Sequence, residues 1–514
     1  MPLNLPTISD PTSTMRSSVM TNQCTVRGNR AEERGQHAEY LEKHLWNLWS
    51  ATATAFPDRD ALVSMWQPTH RVGEFEHLHL APAADVREQR YVRWSYSRLH
   101  QEAESVATWL ESLGCFPGQK LVAMLWNSAE WAVFLWAAMR LRMVFMPLDP
   151  RSLHEMPALM AKLDPLVLVA EDETVAASVD ALDMQLKSTV IKVHCSANAM
   201  QGWRSIAASY DLSSQTTGIG EGSPTQRHES NVASETLAML ILTSGTTGTP
   251  KLCPHTHRNL MSQACEYDPK PQDPMERWLV HTPVSHIFAI NNALRAWKEG
   301  GTVVFASKSF DVEATLKALI LEKCTIMSAT PTLIKSLVSH PNFRSQQIHL
   351  DLVTIGGTLI THEDVRLCRD KLGATHAIQA YGMTEGAPLV SWRRHDQLLQ
   401  NGYHPGVGRV LPGTVVRICR PGSEEILNTG QAGELHVSGS SVISNYFEAE
   451  DGSTSFYSDD GSIWFRTGDQ GFLDKDGIVH LLGRFKDLII RGGENIQPSR
   501  IEKVLSEVPG LQVR

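Results

Sequence analysis

A run of glycine and hydroxyl side chains that ends in lysine has the composition of a phosphate-binding loop. It comprises Thr243, Ser244, Gly245, Thr246, Thr247, Gly248 and, after Thr249 and Pro250, Lys251. Glycines allow backbone N–H groups to converge on phosphate oxygens without steric cost. The hydroxyls add donors, and the lysine adds a point charge. Because an apolar strand-like stretch, Leu237 to Leu242, comes directly before it, the run predicts a loop that holds the β and γ phosphates of ATP.

This loop differs from the Walker A motif. Walker A requires GxxxxGK[ST], whereas Pro250 stands here in place of the second glycine and Leu252 follows Lys251. A turn without a ligand is the alternative interpretation. The full string is far more restrictive than a lone glycine pattern, and this favours phosphate binding.

Four later segments carry groups suited to a nucleotide. They are Tyr381-Gly382-Met383-Thr384-Glu385-Gly386, Gly356-Gly357-Thr358, Phe465-Arg466-Thr467-Gly468-Asp469 and Gly483-Arg484-Phe485-Lys486-Asp487. A carboxylate is a ligand type that Mg²⁺ prefers, and a second carboxylate can accept hydrogen bonds from both ribose hydroxyls. Each segment alone could be an ordinary turn or a pair of surface charges. Their order and spacing favour one shared site.

The five segments together resemble the adenylate-forming (AMP-binding) superfamily, which includes acyl-CoA synthetases, luciferases and adenylation domains of nonribosomal peptide synthetases. The resemblance extends from about Leu41 to the end. It implies that Tyr381 stacks on adenine, with Gly356, Gly357 and Gly382 beside it. Thr384 would contact the α-phosphate, Glu385 would bind Mg²⁺, and Asp469 and Arg484 would bind the nucleotide. Lys486 would be the hinge of a rotating C-terminal subdomain.

The same resemblance places an acyl pocket beside His281-Thr282-Pro283-Val284-Ser285-His286-Ile287-Phe288. The pocket residues are predicted to be His286, Ile287, Ile290, Gly357, Gly382 and Met383. His286 would orient the carboxylate or gate the site, and a satisfied buried histidine is an equal alternative. Ile287 stands where amino-acid-activating relatives have Asp and dihydroxybenzoate-activating relatives have Asn. An aryl or fatty acid is therefore favoured over an amino acid.

The implied reaction is ATP-dependent formation of acyl-AMP, followed by transfer to CoA. The catalytic candidates are Lys251, His286, Thr384 and Glu385, and the cofactors are ATP, Mg²⁺ and CoA. Two alternatives remain open. One is an adenylation domain that loads the phosphopantetheine of a carrier protein, within a polyketide, peptide or other secondary-metabolite pathway. The other is a catalytically impaired protein that binds ATP or an acyl group.

A departure near the C-terminus supports the last alternative. Relatives continue for roughly a hundred residues beyond the hinge, the size of a small domain, and carry there a lysine that bridges the acyl carboxylate and the ATP phosphate. This sequence ends at Arg514, soon after Lys486. A fragment, a shortened product or an impaired enzyme would each explain this. The loop Arg491-Gly492-Gly493-Glu494-Asn495-Ile496 resembles the family's pantetheine-facing loop, and a simple hairpin turn has comparable weight.

The elements that must position these residues alternate between short apolar strands and helices, which predicts βαβ units and a largely parallel sheet. The fold expected is α/β. A large N-terminal domain of parallel or mixed sheets between helices is followed by a β-rich subdomain at about 405–485 and a truncated α+β subdomain. The domain bounds predicted are a flexible tail over 1–39, the adenylation core over 40–485, and the hinge with the start of the C-terminal subdomain over 486–514.

Composition excludes several other classes. The net charge is −9 and no basic block stands out, so nucleic acid and anionic membranes are poor partners. No apolar stretch is long enough to span a bilayer, and the first residues lack the layout of a secretory signal. Eight scattered cysteines without a CxxC pair fit a reducing compartment. The sequence therefore predicts a cytoplasmic protein.

Overall fold

The computed structural model describes residues 30–35, 44–68, 91–184, 186–207, 235–243, 251–264, 275–358, 360–394, 396–400, 406–448, 454–487, 489–491, 494–496 and 505. Most strands are short, buried and rich in Val, Ile, Leu and Met. In chain order they are β1 Glu32–Arg34, β2 Asp60–Ser64, β3 Val92–Ser95, β4 Lys120–Met124, β5 Val144–Leu148, β6 Val167–Ala170, β7 Ile191–His194, β8 Arg204–Ser205, β9 Leu237–Leu242, β10 Leu252–Thr256, β11 Arg277–Leu279, β12 Thr302–Phe305, β13 Ile326–Ala329, β14 Leu352–Ile355, β15 His376–Met383, β16 Gly386–Ser391, β17 Arg409–Val410, β18 Val415–Cys419, β19 Gly433–Ser438, β20 Phe456–Asp459, β21 Ser462–Leu473, β22 Val479–Arg484, β23 Ile489–Arg491 and β24 Glu494–Ile496.

The helices lie between these strands, and many begin at a Ser, Thr or Asp whose side chain accepts a backbone N–H of the first turn. They are α1 Leu45–Ala55, α2 Tyr96–Ser112, α3 Ala129–Leu141, α4 Met156–Leu163, α5 Glu173–Asp180, α6 His257–Gln263, α7 Ile287–Lys298, α8 Val312–Leu321, α9 Pro331–Val338, α10 His362–Arg366 and α11 Gln397–Gln400. Shorter turns of other helix types cover Pro150–Glu155, Ser345–Gln347, Leu367–Lys371 and Phe485–Asp487.

Three large sheets organise the described part of the chain. The first has the order β10-β9-β5-β4-β6-β7-β8 and the second β17-β16-β15-β14-β13-β11-β12-β2-β3. Their central strands are parallel, and antiparallel strands complete one edge of the first sheet and both edges of the second. The third sheet is antiparallel, with the order β1-β18-β19-β21-β20 and β22 paired to β21.

The largest core cluster lies between the first two sheets. Helices α1, α2, α3 and α7 fill this space, and α3 is buried on every side over most of its length. Trp49 stacks on Trp136 at a centroid distance of 4.7 Å, and Trp297 donates its indole N–H to the Ala61 carbonyl at 2.9 Å. The outer face of the first sheet is covered by α4 and α5, and that of the second by α8 and α9. The predicted α/β architecture of helix-sandwiched sheets is therefore confirmed.

The local predictions follow the structure closely where the sequence is apolar. The predicted strands at residues 120–126, 144–148, 237–242, 303–306, 325–329 and 352–355 coincide with β4, β5, β9, β12, β13 and β14 within two residues. The buried helix predicted at 131–139 is the middle of α3. The predicted loop at 215–235 lies almost wholly outside the described residues.

The N-terminal segment departs from its prediction. A flexible tail is expected through residue 39, whereas Glu32–Arg34 forms β1 and pairs antiparallel with β18. Glu32 accepts a hydrogen bond from Arg417 at 2.6 Å, and Ala31 is buried in the core of the third sheet. The sequence is polar because the strand lies at a sheet edge, where ion pairs replace apolar contacts on one face.

Candidate functional site

The ends of the predicted phosphate loop are clamped together. Strands β9 and β10 are antiparallel neighbours, and the loop joins them as a hairpin connection. Thr243 donates its backbone N–H to the Lys251 carbonyl at 2.8 Å, and the Lys251 N–H donates to the Thr243 hydroxyl at 3.2 Å. The candidates Ser244, Gly245, Thr246, Thr247 and Gly248 lie outside the described residues. A strand–loop–strand setting differs from the strand–loop–helix of a Walker A site, as the sequence predicts.

Tyr381, Asp469 and Arg484 form one hydrogen-bonded group between the second and third sheets. The Tyr381 hydroxyl donates to one oxygen of Asp469 at 2.6 Å, and Arg484 donates to the other at 2.9 Å. Asp469 and Arg484 are cross-strand partners on β21 and β22. Each carboxylate oxygen keeps a further lone pair, so the group can still accept hydrogen bonds from a ligand.

The environment of Asp469 is unusual for a carboxylate. Burial raises its pKa, and the hydrogen bond from Tyr381 together with the hydrogen bond and charge of Arg484 offsets only part of the rise. The pKa of the Tyr381 phenol is also raised, chiefly by burial and then by the Asp469 charge. Tyr381 therefore remains a hydrogen-bond donor to Asp469.

Thr384 and Glu385 form the tip of the hairpin between β15 and β16, since Met383 pairs with Gly386 across the turn. The close packing below the tip requires a glycine. A Cβ on Gly382 would lie 2.8 Å from the Ala387 Cβ and 2.9 Å from its Cα. The hairpin thus brings Gly382, Met383, Thr384 and Glu385 to one place, with both tip side chains half-buried.

Glu385 connects to Lys251 through a residue that the sequence motifs did not single out. Tyr446 donates its hydroxyl to Glu385 at 2.6 Å, and the Lys251 ammonium lies 4.5 Å from the centre of the Tyr446 ring. Tyr446 belongs to the segment after β19, which has neither glycine clustering nor clear periodicity. No pattern in the sequence signals it.

A chain of buried polar side chains supports Thr384 from behind. Asn291 on α7 donates to Gln263 at 3.0 Å, Gln263 contacts the His255 ring at 3.4 Å, and His255 bonds the Thr384 carbonyl at 2.8 Å. Burial lowers the pKa of His255 to about 4. The ring is neutral, so Nε2 donates to Thr384 and Nδ1 accepts from Gln263. This series of hydrogen bonds links α7, the helix of the predicted acyl pocket, to the nucleotide motif.

The oxygen ligands around Glu385 fit a magnesium ion brought in by a nucleotide. Within the described parts of the chain, no three His, Cys, Asp or Glu side chains cluster as a metal cage. Mg²⁺ is usually held by one or two carboxylates together with substrate phosphates. Among the contacts of the described residues, one oxygen of the Glu385 carboxylate accepts from Tyr446, and the other oxygen can ligate such an ion.

His286 stands at the N-cap of α7, and its side chain makes no capping hydrogen bond. It is exposed and faces the ion pair of Asp149 and Arg151. Desolvation by the surrounding protein lowers the pKa of His286, although the Asp149 charge opposes this. The shift favours the neutral imidazole, in which one ring nitrogen donates and the other accepts a hydrogen bond.

Asn127 fixes the segment that leads to His286. Its amide donates to the Thr282 carbonyl at 2.9 Å and to the Val280 carbonyl at 3.3 Å, and its oxygen accepts from the Val284 N–H at 3.1 Å. Asn127 is fully buried at the start of α3. It anchors the predicted pocket motif to the main core, and its role could not be inferred from its position far upstream.

The structure sorts the predicted acyl-pocket residues into two groups. Ile290 has no exposed surface and Ile287 only 6%, and both pack into the main core. The half-buried Phe288 instead faces Gly356, where an added Cβ would lie 3.7 Å from the ring. Gly357 follows at φ +84°, a conformation that favours glycine. Ile290 therefore lies behind the wall, and Phe288 stands beside the glycine turn.

The hinge candidate Lys486 is exposed in the short turn Phe485–Asp487, directly after β22. The strands β23 and β24 then form an antiparallel hairpin in which Arg491 pairs with Glu494. This supports the hairpin alternative for the glycine-rich loop, and Gly492 and Gly493 lie outside the described residues. Among the helices that the structure describes, none is long and apolar enough to cross a membrane.

Comparisons with known proteins all find enzymes of the AMP-binding type or ligases that use CoA. A family model described as AMP-binding enzyme matches residues 50–447. The chain is 26% identical over 498 residues to the putative acyl-CoA synthetase YngI of Bacillus subtilis (strain 168), covering 92% of this chain and 84% of that protein. It is 29% identical over 421 residues to the indoleacetate–CoA ligase of Aromatoleum aromaticum, covering 81% and 78%.

Solved structures share the fold. ATP-bound MatB from Rhodopseudomonas palustris superposes with a TM-score of 0.71 at 24% identity, covering 91% of this chain and 84% of that one. The O-succinylbenzoate CoA synthetase MenE from Bacillus subtilis, in complex with ATP and magnesium ion, superposes with a TM-score of 0.67 at 23% identity, covering 91% and 85%.

Proposed function

The chain belongs to the AMP-binding enzyme family, and from this premise we propose which of its residues carry out the reaction. It is an AMP-forming acid–thiol ligase that activates a carboxylic acid with ATP and joins the acyl group to CoA. The observation that carries the assignment is the meeting of three sheets at one place. Lys251 directly precedes β10 of the first sheet, Tyr381 and the hairpin tip with Glu385 belong to the second, and Asp469 lies on β21 of the third. Hydrogen bonds and the ring of Tyr446 join them.

We assign the nucleotide contacts by position in this junction. Tyr381 and the glycines at 356, 357 and 382 surround the adenine, and the Asp469 carboxylate accepts the ribose hydroxyls beside Arg484. Thr384 donates to the α-phosphate. The loop from Thr243 to Lys251 holds the β and γ phosphates, and Glu385 is the protein ligand of Mg²⁺. The clamped loop ends and the buried support of Thr384 favour this assignment, because both fix donors before the substrate arrives.

The first half-reaction requires positioning and charge neutralisation rather than proton transfer. A carboxylate oxygen attacks the α-phosphorus, the bond to the β,γ-phosphates breaks, and its electron pair leaves with pyrophosphate. Lys251 and the loop donors neutralise the departing charge, and neutral His286 orients the carboxylate. Magnesium, when bound, neutralises phosphate charge as a Lewis acid.

In the second half-reaction the CoA sulfur attacks the acyl carbon, the thiol proton passes to solvent water, and AMP departs with the electron pair of the broken C–O bond. We propose that a rotation at Lys486 separates the two steps. A carrier-protein thiol is the alternative acceptor. We propose that the reaction takes place in the cytoplasm, because eight scattered cysteines without a CxxC pair fit a reducing compartment.

The acid is proposed to be apolar, either aryl or fatty. Ile287 occupies the position where amino-acid-activating relatives carry an ammonium-binding Asp, and it is buried among apolar residues. The edge of the Phe288 ring lies beside the glycine turn at Gly356. An apolar pocket of this kind separates close analogues by only about 10–200-fold, so a group of related acids is expected as substrates.

ATP–pyrophosphate exchange tests the proposal. The full chain is incubated with a panel of aryl, short, medium and long acids and with amino acids, in the absence of CoA. We expect exchange with one group of apolar acids and none with amino acids. CoA should then give the thioester of the same acid. Glu385→Gln is the matched variant, and it should reduce exchange at least tenfold. Absence of exchange with every acid would contradict the proposal.

A further inference from the structure

We propose that Tyr446 is a positioning residue that holds Glu385 in place for Mg²⁺ and Lys251 in place for the ATP phosphates. This inference rests on the proposed function and adds to it a residue outside the recognised motifs. Tyr446 is the physical link between the two charged groups, since its hydroxyl binds one and its ring lies under the other.

The hydroxyl contact orients the carboxylate. Tyr446 donates to Oε1 of Glu385 at 2.6 Å, a charge-assisted hydrogen bond that fixes the rotation of the carboxyl group. A carboxylate that ligates a metal commonly receives such a bond from an outer residue.

The ring contact attracts the lysine. The Lys251 ammonium lies 4.5 Å from the ring centre, within the range of a cation–π interaction. In a direct ion pair with Glu385 the ammonium would give at least one N–H to the carboxylate, whereas the ring contact uses no carboxylate oxygen and lets the ammonium turn its donors toward phosphate oxygens. Tyr446 therefore keeps opposite charges near one another without letting them neutralise each other.

Tyr446 is itself rigidly placed. It is 7% exposed, and its ring packs edge-on against Phe456 and Phe465 at centroid distances of 5.3 and 6.3 Å. The backbone on both sides is tied to its targets. The Ile443 N–H donates to the Glu385 carbonyl at 3.0 Å, and the Phe447 N–H donates to the Leu252 carbonyl at 2.9 Å. The segment from 443 to 447 thus bridges the hairpin tip and the strand after the phosphate loop.

Calorimetric titration of ATP at a series of Mg²⁺ concentrations tests the inference. Tyr446→Phe keeps the ring and loses the hydroxyl, so the Mg²⁺ concentration that half-saturates ATP binding should rise about tenfold. Affinity at saturating Mg²⁺ should change little. Tyr446→Leu loses both contacts, so ATP binding should also weaken several-fold at saturating Mg²⁺.

Tyr457→Phe is the matched control, because it removes a hydroxyl that bonds His436 at 2.8 Å elsewhere in the third sheet. Thermal melting verifies that each variant is folded. An unchanged Mg²⁺ dependence in Tyr446→Phe, or an equal shift in Tyr457→Phe, would overturn the inference while leaving the proposed function intact. If the unaltered protein bound no ATP at any Mg²⁺ concentration, the proposed function would fail as well.

Discussion

At the scale of single residues, the site is held by polar groups that bind one another before any substrate is present. Asp469 accepts from Tyr381 and Arg484, and Glu385 accepts from Tyr446. Such pairing lowers the cost of burying charge and fixes the direction of each carboxylate. Asp469, the proposed partner of the ribose, is therefore already oriented. Less conformational entropy of its side chain is lost when ATP binds.

Asp469→Asn should weaken ATP binding at least tenfold, because hydrogen bonds to a charged acceptor are worth about 1.5–3 kcal/mol each. The loss of affinity should depend on the 2′-hydroxyl of the ribose. In the unaltered protein, 2′-deoxy-ATP should bind more weakly than ATP, and in the variant this difference should shrink. Dissociation constants from calorimetry measure both effects. A variant that still distinguishes the two nucleotides to the same degree would rule out ribose as the partner of Asp469.

Residues inside compact motifs could be predicted from the sequence. The residues that hold them in place by hydrogen bonds could not. Asp469 and Glu385 lie in short strings whose composition already suggests a ligand. Tyr446, His255 and Asn127 act through contacts between segments far apart in the chain. A contact of that kind depends on the fold, and no local spacing reveals it.

At the scale of elements, the hairpin of β15 and β16 presents Thr384 and Glu385 at its tip. The strands approach so closely at Gly382 and Ala387 that a side chain would fill occupied space. The carbonyl of Thr384 and the backbone of Glu385 are each held by another element, namely His255 on β10 and Ile443 after β19. The tip is therefore sensitive to small shifts of the strands beneath it.

Gly382→Ala should cost about 1–3 kcal/mol of stability through overpacking and should lower the exchange rate more than the fall in stability explains. Adding Ala387→Gly removes the nearer of the two clashing atoms and should restore part of both losses. Urea unfolding measures the stability of each variant, and pyrophosphate exchange measures its activity. Full activity in the single variant would show that the hairpin tolerates the shift.

Elements were predictable where burial imposes an apolar pattern. The strands β4, β5 and β14 are buried on both faces, and their sequences are continuous apolar runs. The face that a helix turns toward a pocket was harder to predict. Ile290 is apolar like a pocket wall, yet it is buried in the core, because the packing of α7 against α1 and the second sheet decides its direction.

At the scale of the whole molecule, several histidines are buried and uncharged. Burial lowers the pKa of His255 and His281 to about 4, and burial with the Arg142 charge does the same for His44. The unfolded chain binds protons at these sites below about pH 6.5, and the folded chain resists until about pH 4. Stability should be constant with respect to these groups above pH 6.5 and should fall between pH 6.5 and 4, by at most about 3 kcal/mol each.

His281→Leu isolates one of these contributions, since neither ring nitrogen of His281 has a hydrogen-bond partner in the described structure. The variant should melt with a shallower dependence on pH between 6.5 and 4. Its melting temperature at pH 7.5 should change much less. Thermal unfolding monitored by circular dichroism across this range gives the comparison. An identical slope would mean that His281 takes up its proton at the same pH in the folded and the unfolded protein.

The pairing of β1 with β18 also determines when β1 can fold during synthesis of the chain. Glu32 and Arg417 are 385 residues apart, yet they bind side by side. At a synthesis rate of about 5–20 residues per second, Glu32 leaves the ribosome roughly 20–80 s before its partner exists. The first strand among the described residues therefore pairs only after β18 has been synthesised. Throughout that interval its backbone donors and acceptors must be satisfied by water or by a chaperone.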